Sequence, residues 1–193
     1  MDAVLAKVEL PRRRFTMEEY YRLAEVGILR PRERVELIEG EIVQMSPIGL
    51  RHAASVVALT RRLILAAGDR ARLSPQNPVR LLGDTEPEPD IALIRPRADR
   101  YVRAPIGPRD VLLLVEVADT SYRYDRYVKL PLYARTRVRE VWIVDLLHDV
   151  IEIHRRPSRD RYTSFAQVGP GGTVSPAAFP DIVLPVDDEL LAH

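Results

Sequence analysis

The chain has 193 residues, with 29 Lys and Arg against 28 Asp and Glu, for a formal net charge of +1. That balance speaks against a protein that coats nucleic acid over its whole surface, yet it leaves room for a local basic face. No cysteine is present, which excludes disulfides, thiolate zinc sites and cysteine nucleophiles and makes a reducing cytoplasm the expected compartment.

The N-terminal residues 1–14 read as an arm, with Pro11 and Arg12, Arg13 and Arg14 ahead of the first helix signal, and residues 15–193 as one domain. The start of the chain lacks the apolar core of a signal peptide, and no apolar run approaches the roughly 20 residues of a membrane span, so a soluble protein is expected. Thr16 followed by Glu19 forms a capping-box pattern that opens a short amphipathic helix through Met17, Tyr20, Tyr21 and Leu23 to about Gly27. In RVELIEGEIVQMS, apolar Val35, Leu37, Ile42 and Met45 flank Glu39-Gly40, the residue pair of a tight hairpin turn. A longer helix is expected over 50–67, with Ala53, Val56, Val57, Thr60, Leu63 and Ile64 on one stripe and Gly68 as its cap.

Beyond Gly68 the pattern changes to short apolar runs, ARLSPQNPVRLL, PDIALIRP and DVLLLVEVAD. The last of these is apolar from Val111 to Val117 except at Glu116, as expected of a strand buried on both faces. A third helix over about 124–134 places Asp125, Lys129 and Tyr133 at i, i+4, i+8 on one side, with Pro131 bending or delaying it. REVWIVDLLHDVIEIHRR then reads as two strands around a turn, in which Trp142 is core and Asp145 caps the turn; the remaining segments read as extended. The order predicts an α/β fold in which one mixed sheet is flanked by helices.

Two carboxylates stand out. Asp90 follows Glu86-Pro87-Glu88-Pro89 at the mouth of an apolar strand, where Pro89 makes a rigid entry; it reads either as a functional acid or as the end of a loop. Glu116 interrupts an interior strand, where an ionised carboxylate costs several kcal/mol unless it is paired or bound to metal; a structural ion pair to an arginine is the alternative. Two carboxylates from neighbouring strands, with the Val117 carbonyl between them, form a hard oxygen site of the kind Mg²⁺ or Mn²⁺ prefers. Such an ion activates water and neutralises charge on a phosphate. The four histidines, His52, His148, His154 and His193, are too scattered for a histidine cage. His52, at the start of the second helix, is either a phosphate contact or, the more common case, a local hydrogen-bond partner.

With these residues in place, Pro89-Asp90 before one strand and Glu116-Val117-Ala118 within the next resemble the PD-(D/E)xK nuclease motif. The longer run from Arg34-Val-Glu-Leu-Ile-Glu-Gly-Glu-Ile-Val43, through Leu114-Val-Glu-Val-Ala-Asp-Thr-Ser121, Asp125, Lys129 and Tyr133, to Val138-Arg-Glu-Val-Trp-Ile-Val-Asp145, resembles the bacterial Uma-type family of restriction-endonuclease-like proteins. The resemblance covers about residues 16–190. It implies a restriction-endonuclease-like core and Mg²⁺- or Mn²⁺-dependent cleavage of phosphodiester bonds in DNA. Asp90 and Glu116 match the metal-binding acids, and Glu36 matches the acid from the first structural elements, with Glu39 as a substitute.

The lysine that the motif places two residues after the glutamate is Ala118 here. Lys129 on the following helix is the replacement the resemblance supplies, the other reading being a solvated helix lysine paired to Asp125; Ser121 and Asp125 are candidates to orient it. Lys7 is the only other lysine in the chain. Arg12, Arg13, Arg14, Arg61 and Arg62 are candidate DNA-backbone contacts, and cleaving both strands favours a homodimer. The rival reading from another class is a catalytically impaired binding or assembly module on the same fold. A phosphoester hydrolase acting on small molecules is a weaker third, since the chain has no Gly-rich phosphate loop.

Overall fold

The computed structural model describes residues 12–193, so most of the expected arm lies outside the described residues. Helix α1 (Met17–Glu25) begins with the expected capping box, in which the Glu19 amide donates to Thr16 Oγ1 and the Thr16 amide to the Glu19 carboxylate. Strands β1 (Val35–Ile38) and β2 (Glu41–Gln44) then pair antiparallel around Glu39 and Gly40, whose φ values of 49° and 79° are both positive, as a two-residue hairpin turn demands. At Gly40 the chain also packs closely, because an added Cβ would sit 2.6 Å from Arg14 Cβ and 2.9 Å from the Phe15 carbonyl oxygen.

Helix α2 (Leu50–Ala67) ends at Gly68. Its buried face is Ser55, Val56, Ala58, Leu59, Leu63 and Ala67, which corrects the expected stripe: Val57 and Ile64 are 67% and 50% exposed. Apolar residues surround more than half of this helix, and hydrophobicity alone did not orient it. The small side chains of Ser55 and Ala58 permit close approach to the sheet, so the buried face turned toward them.

The central sheet contains β3 (Arg72–Pro75), β4 (Ile91–Ile94), β5 (Val111–Ala118), β6 (Glu140–Asp145), β7 (Val150–Ser158) and β8 (Arg161–Val168), in that spatial order. Every neighbouring pair is antiparallel except β5 with β6, so the sheet is mixed, as expected. All eight residues of β5 are buried, with alternate side chains serving opposite faces. Leu113, Val115 and Val117 join a cluster with Leu59 and Leu63 of α2. Leu114 and Ala118 join the other cluster, with Ile38 of the hairpin. Trp142 is fully buried, and Asp145 accepts from the Leu147 and His148 amides at the turn, both as expected.

The third helical run starts at α3 (Tyr122–Tyr124), widens into a π turn (Asp125–Lys129) and continues as α4 (Leu130–Arg135). The Leu130 amide reaches back to the Asp125 carbonyl, five residues earlier. Pro131 therefore falls in the first turn of α4, where its missing amide costs no hydrogen bond. Near the C-terminus, β9 (Thr173–Val174) pairs with β10 (Leu184–Pro185). The final segment is not extended but forms α5 (Asp188–Leu191), capped by Asp187, whose carboxylate accepts from the Leu190 amide. Asp187-Asp188-Glu189 was the legible signal for that start. No helix among the described residues is long and apolar enough to cross a membrane.

Candidate active site

Asp90 precedes β4, and the antiparallel register of β4 on β5, with Ile91 opposite Val115, brings it beside Glu116. The Val117 amide donates to Asp90 Oδ2 at 2.8 Å, and the Asp90 amide faces Glu116 Oε2 at 3.4 Å. The amide and carbonyl of one strand residue face the same neighbour, so the Val117 carbonyl lies on the strand edge that meets Asp90. Glu116 falls between Leu114 and Ala118 in the alternation and so faces α4, where the Tyr133 hydroxyl donates to Oε1 at 2.5 Å.

Lys129 projects from the last residue of the π turn into this recess. Its Nζ lies 3.0 Å from Glu116 Oε1, 3.6 Å from Glu36 Oε2 and 3.9 Å from Asp125 Oδ1, and 3.4 Å from the Glu88 carbonyl. With 3% exposure it is no solvated surface lysine. Glu36 reaches the same point from β1, accepting from the Tyr124 hydroxyl at 2.7 Å and the Glu88 amide at 2.9 Å. Asp125 accepts from Ser121 Oγ at 2.6 Å. The structure thus brings Glu36, Asp90, Glu116 and Lys129 together, with Asp125 and Ser121 alongside. Glu39 is outside the recess and pairs with Arg135 at 2.8 Å.

His52 reaches beyond its own helix: its Nε2 lies 2.9 Å from Asp90 Oδ1, so a residue of the first turn of α2 touches the acid before β4. Position at a helix start gave only a local signal, and that contact is long-range. Tyr124 was missed, whereas Tyr133 lay on the i, i+4, i+8 face already singled out.

Burial pushes the Glu116 carboxyl up, opposed by the Lys129 charge and reinforced by Asp125 and Asp90. Burial also pushes Asp125 up to about 6, again opposed by Lys129. For Lys129, burial acts to lower the pKa, but Glu116, Glu36 and Asp125 outweigh it and hold the ammonium well above its ordinary value. It therefore stays cationic. These groups line a cavity of about 360 Å³ between the 45–49 loop and the 119–125 segment.

The arginines expected to touch DNA are partly committed elsewhere. Arg62 turns onto Asp187 and Glu189, whereas Arg61 is largely exposed. Arg12 approaches Glu41, Arg13 bonds Glu19, and Arg14 donates to the Glu39 carbonyl, which fastens this segment to α1 and the hairpin.

A mixed sheet with acids at the ends of adjacent strands and a lysine delivered from the crossover helix places the chain among the restriction-endonuclease-like proteins. The family model of Uma2, described as "Putative restriction endonuclease", matches residues 17–187, and the chain belongs to that family. A crystal structure from Anabaena variabilis ATCC 29413, described as "a putative nuclease belonging to DUF820", is similar at a TM-score of 0.72 and 17% identity. The likeness covers 91% of this chain and 97% of that one, and it shows a shared fold. No curated protein sequence matches.

Proposed function

We propose that the protein is an endonuclease that hydrolyses phosphodiester bonds in DNA with Mg²⁺ or Mn²⁺. The observation that carries this reading is the Lys129 ammonium held 3.0 Å from Glu116, which stands beside Asp90 in the same recess. The cation absent at Ala118 is thereby supplied from the helix. Membership of the Uma2 family supports the same reading.

Among the described residues no group of three or more His, Asp or Glu side chains forms a metal cage. A two-carboxylate and carbonyl site needs none. Each carboxylate oxygen has two acceptor positions, and Asp90 Oδ1, Asp90 Oδ2 and Glu116 Oε2 each meet a single protein donor. Acceptor capacity therefore remains, and Asp90, Glu116 and the Val117 carbonyl are a donor set suited to a hard divalent ion. Bound there, such an ion would lower the pKa of water and neutralise phosphate charge. Lys129 would orient the attacking water or stabilise charge on the phosphate. Glu36 would support Lys129, and Tyr133 would fix the Glu116 carboxylate. Cleavage of both strands calls for two such centres, as in a two-fold dimer, and a chain without cysteine suits the cytoplasm.

The test is incubation of purified protein with single- and double-stranded DNA and Mn²⁺. Cleavage by the wild type and none by Asp90→Ala is expected; equal activity of the two would overturn the reading. DNA binding without cleavage and indifferent to chelator would instead indicate a binding module.

A further inference from the structure

Outside the recess, β7 buries a further carboxylate in the interior of the sheet. Glu152 is 3% exposed and has four partners. Its Oε1 accepts from the Tyr122 hydroxyl at 2.9 Å and Gln167 Nε2 at 3.3 Å. Its Oε2 meets His154 Nε2 at 2.9 Å and Arg126 Nε at 3.3 Å. Tyr122 and Arg126 are four residues apart, on one face of the run that carries Lys129.

The strand register gives this arrangement its meaning. Glu116 is opposite Ile143 on β6, and Ile143 is opposite Glu152 on β7. The two acids therefore occupy one cross-strand row, two strands or roughly 10 Å apart. The helical run is gripped at two points by one row of the sheet. Glu116 takes Lys129 and Tyr133, while Glu152 takes Tyr122 and Arg126. The π turn, Asp125–Lys129, spans the two grips and supplies one residue to each, Arg126 and Lys129; it is a rare backbone form found mostly as single turns within helices, frequently at functional sites.

We infer that Glu152 is a positioning residue for the candidate active site: by anchoring Tyr122 and Arg126 to β7 it fixes the entry of the π turn, and so the place of the Lys129 ammonium. This inference rests on the reading of Lys129 as the site cation. An apolar side chain at 152 would pack the strand as well but would leave the helix free to slide along the row. The anchor is electrostatic and directional, which hydrophobic contact is not.

Lys129 and Lys7 are the only lysines, so amine-selective labelling read by mass spectrometry reports on Lys129 directly. The measure is its labelling rate in the urea-unfolded chain divided by that in the folded protein. Glu152→Ala, and separately Tyr122→Phe with Arg126→Ala, should reduce this protection by about tenfold, as expected for the loss of one or two hydrogen bonds. Glu140→Gln is the control, because Glu140 is equally buried but serves Trp142, Arg155 and the Ala177 amide, away from the helix. Its Lys129 protection should match the wild type. In parallel, Glu152→Ala should lower kcat on DNA with KM retained, and Glu152→Gln should restore part of the loss. Unchanged protection in the Tyr122/Arg126 variant, or an equal fall in Glu140→Gln, would overturn the inference. If the wild type cleaves no DNA, the nuclease reading fails, and the labelling result still decides the positioning role.

Discussion

Lys129 Nζ stands 3.0 Å from Glu116 Oε1, and both side chains are almost wholly removed from water. A buried ammonium of this kind is held in place by its acids and holds them in turn, so its removal has a specific expected result. Lys129→Met should reduce DNA cleavage by about 10²- to 10³-fold, the scale of losing one charge-stabilising donor. Lys129→Arg should not restore activity, because a planar guanidinium is not a compact point charge. Full activity in Lys129→Met would remove Lys129 from the mechanism, and full activity in Lys129→Arg would show that any cation at this position serves.

Divalent metal should stabilise the folded protein through Asp90 and Glu116. At a concentration 100-fold above its dissociation constant, Mn²⁺ would add about 2.7 kcal/mol, visible as a rise in melting temperature that chelator reverses. Asp90→Asn and Glu116→Gln should each lose that rise. A variant that keeps the full shift would show that the metal binds elsewhere.

Gly40 combines positive φ with close packing, whereas Gly27 has positive φ and open space around it. Gly40→Ala should therefore cost more than Gly27→Ala, which pays only the conformational penalty of about 1 kcal/mol. Because Gly40 closes the hairpin that carries Glu36, cleavage should fall in Gly40→Ala and not in Gly27→Ala. Thermal melts and activity assays on the pair check both parts.

For Glu152, burial acts to raise the pKa, but hydrogen bonds from His154 and Tyr122, with the charge of Arg126, outweigh it and leave the carboxyl below its ordinary value of 4.5. A carboxylate depressed in the folded state contributes stability that is fully present above the unfolded value and is lost as pH falls through the folded one. Glu152→Gln should then be less stable than the wild type at neutral pH, with the gap closing as pH falls below 4.5. Urea melts across that range would test it, and a gap that stays constant down to the acid limit would disprove the linkage.

Much of the frame was readable because local rules and tertiary demands agreed. Thr16 with Glu19, Glu39 with Gly40, and the uninterrupted apolar run of β5 each specify an element by short-range chemistry, and each element formed there. Glu116 was legible for the opposite reason, as a carboxylate in a place that rejects one. His52, Tyr124 and Glu152 were not legible as partners, since their contacts join residues separated by 38, 88 and 30 positions. The sequence has no short-range mark for such pairings. The π turn was hidden too, because Pro131 announces only that a regular helix must adjust, not how.

The candidate site is shared between two sheets, because Glu36 belongs to the β1–β2 hairpin and the other acids to the central sheet or its crossover helix. Hydrogen bonds fasten the hairpin to the segment before β4, with the Glu86 amide on the Leu37 carbonyl, the Gly40 amide on the Asp84 carbonyl and the Glu39 amide on Thr85 Oγ1, while Glu36 and Glu39 tie it to the crossover helix through Tyr124, Lys129 and Arg135. A two-stranded unit whose second strand is only partly buried can open while the larger sheet stays intact. Its amide protons should exchange with solvent sooner than those of β5, and each opening would withdraw one wall of the cavity and admit water to Lys129.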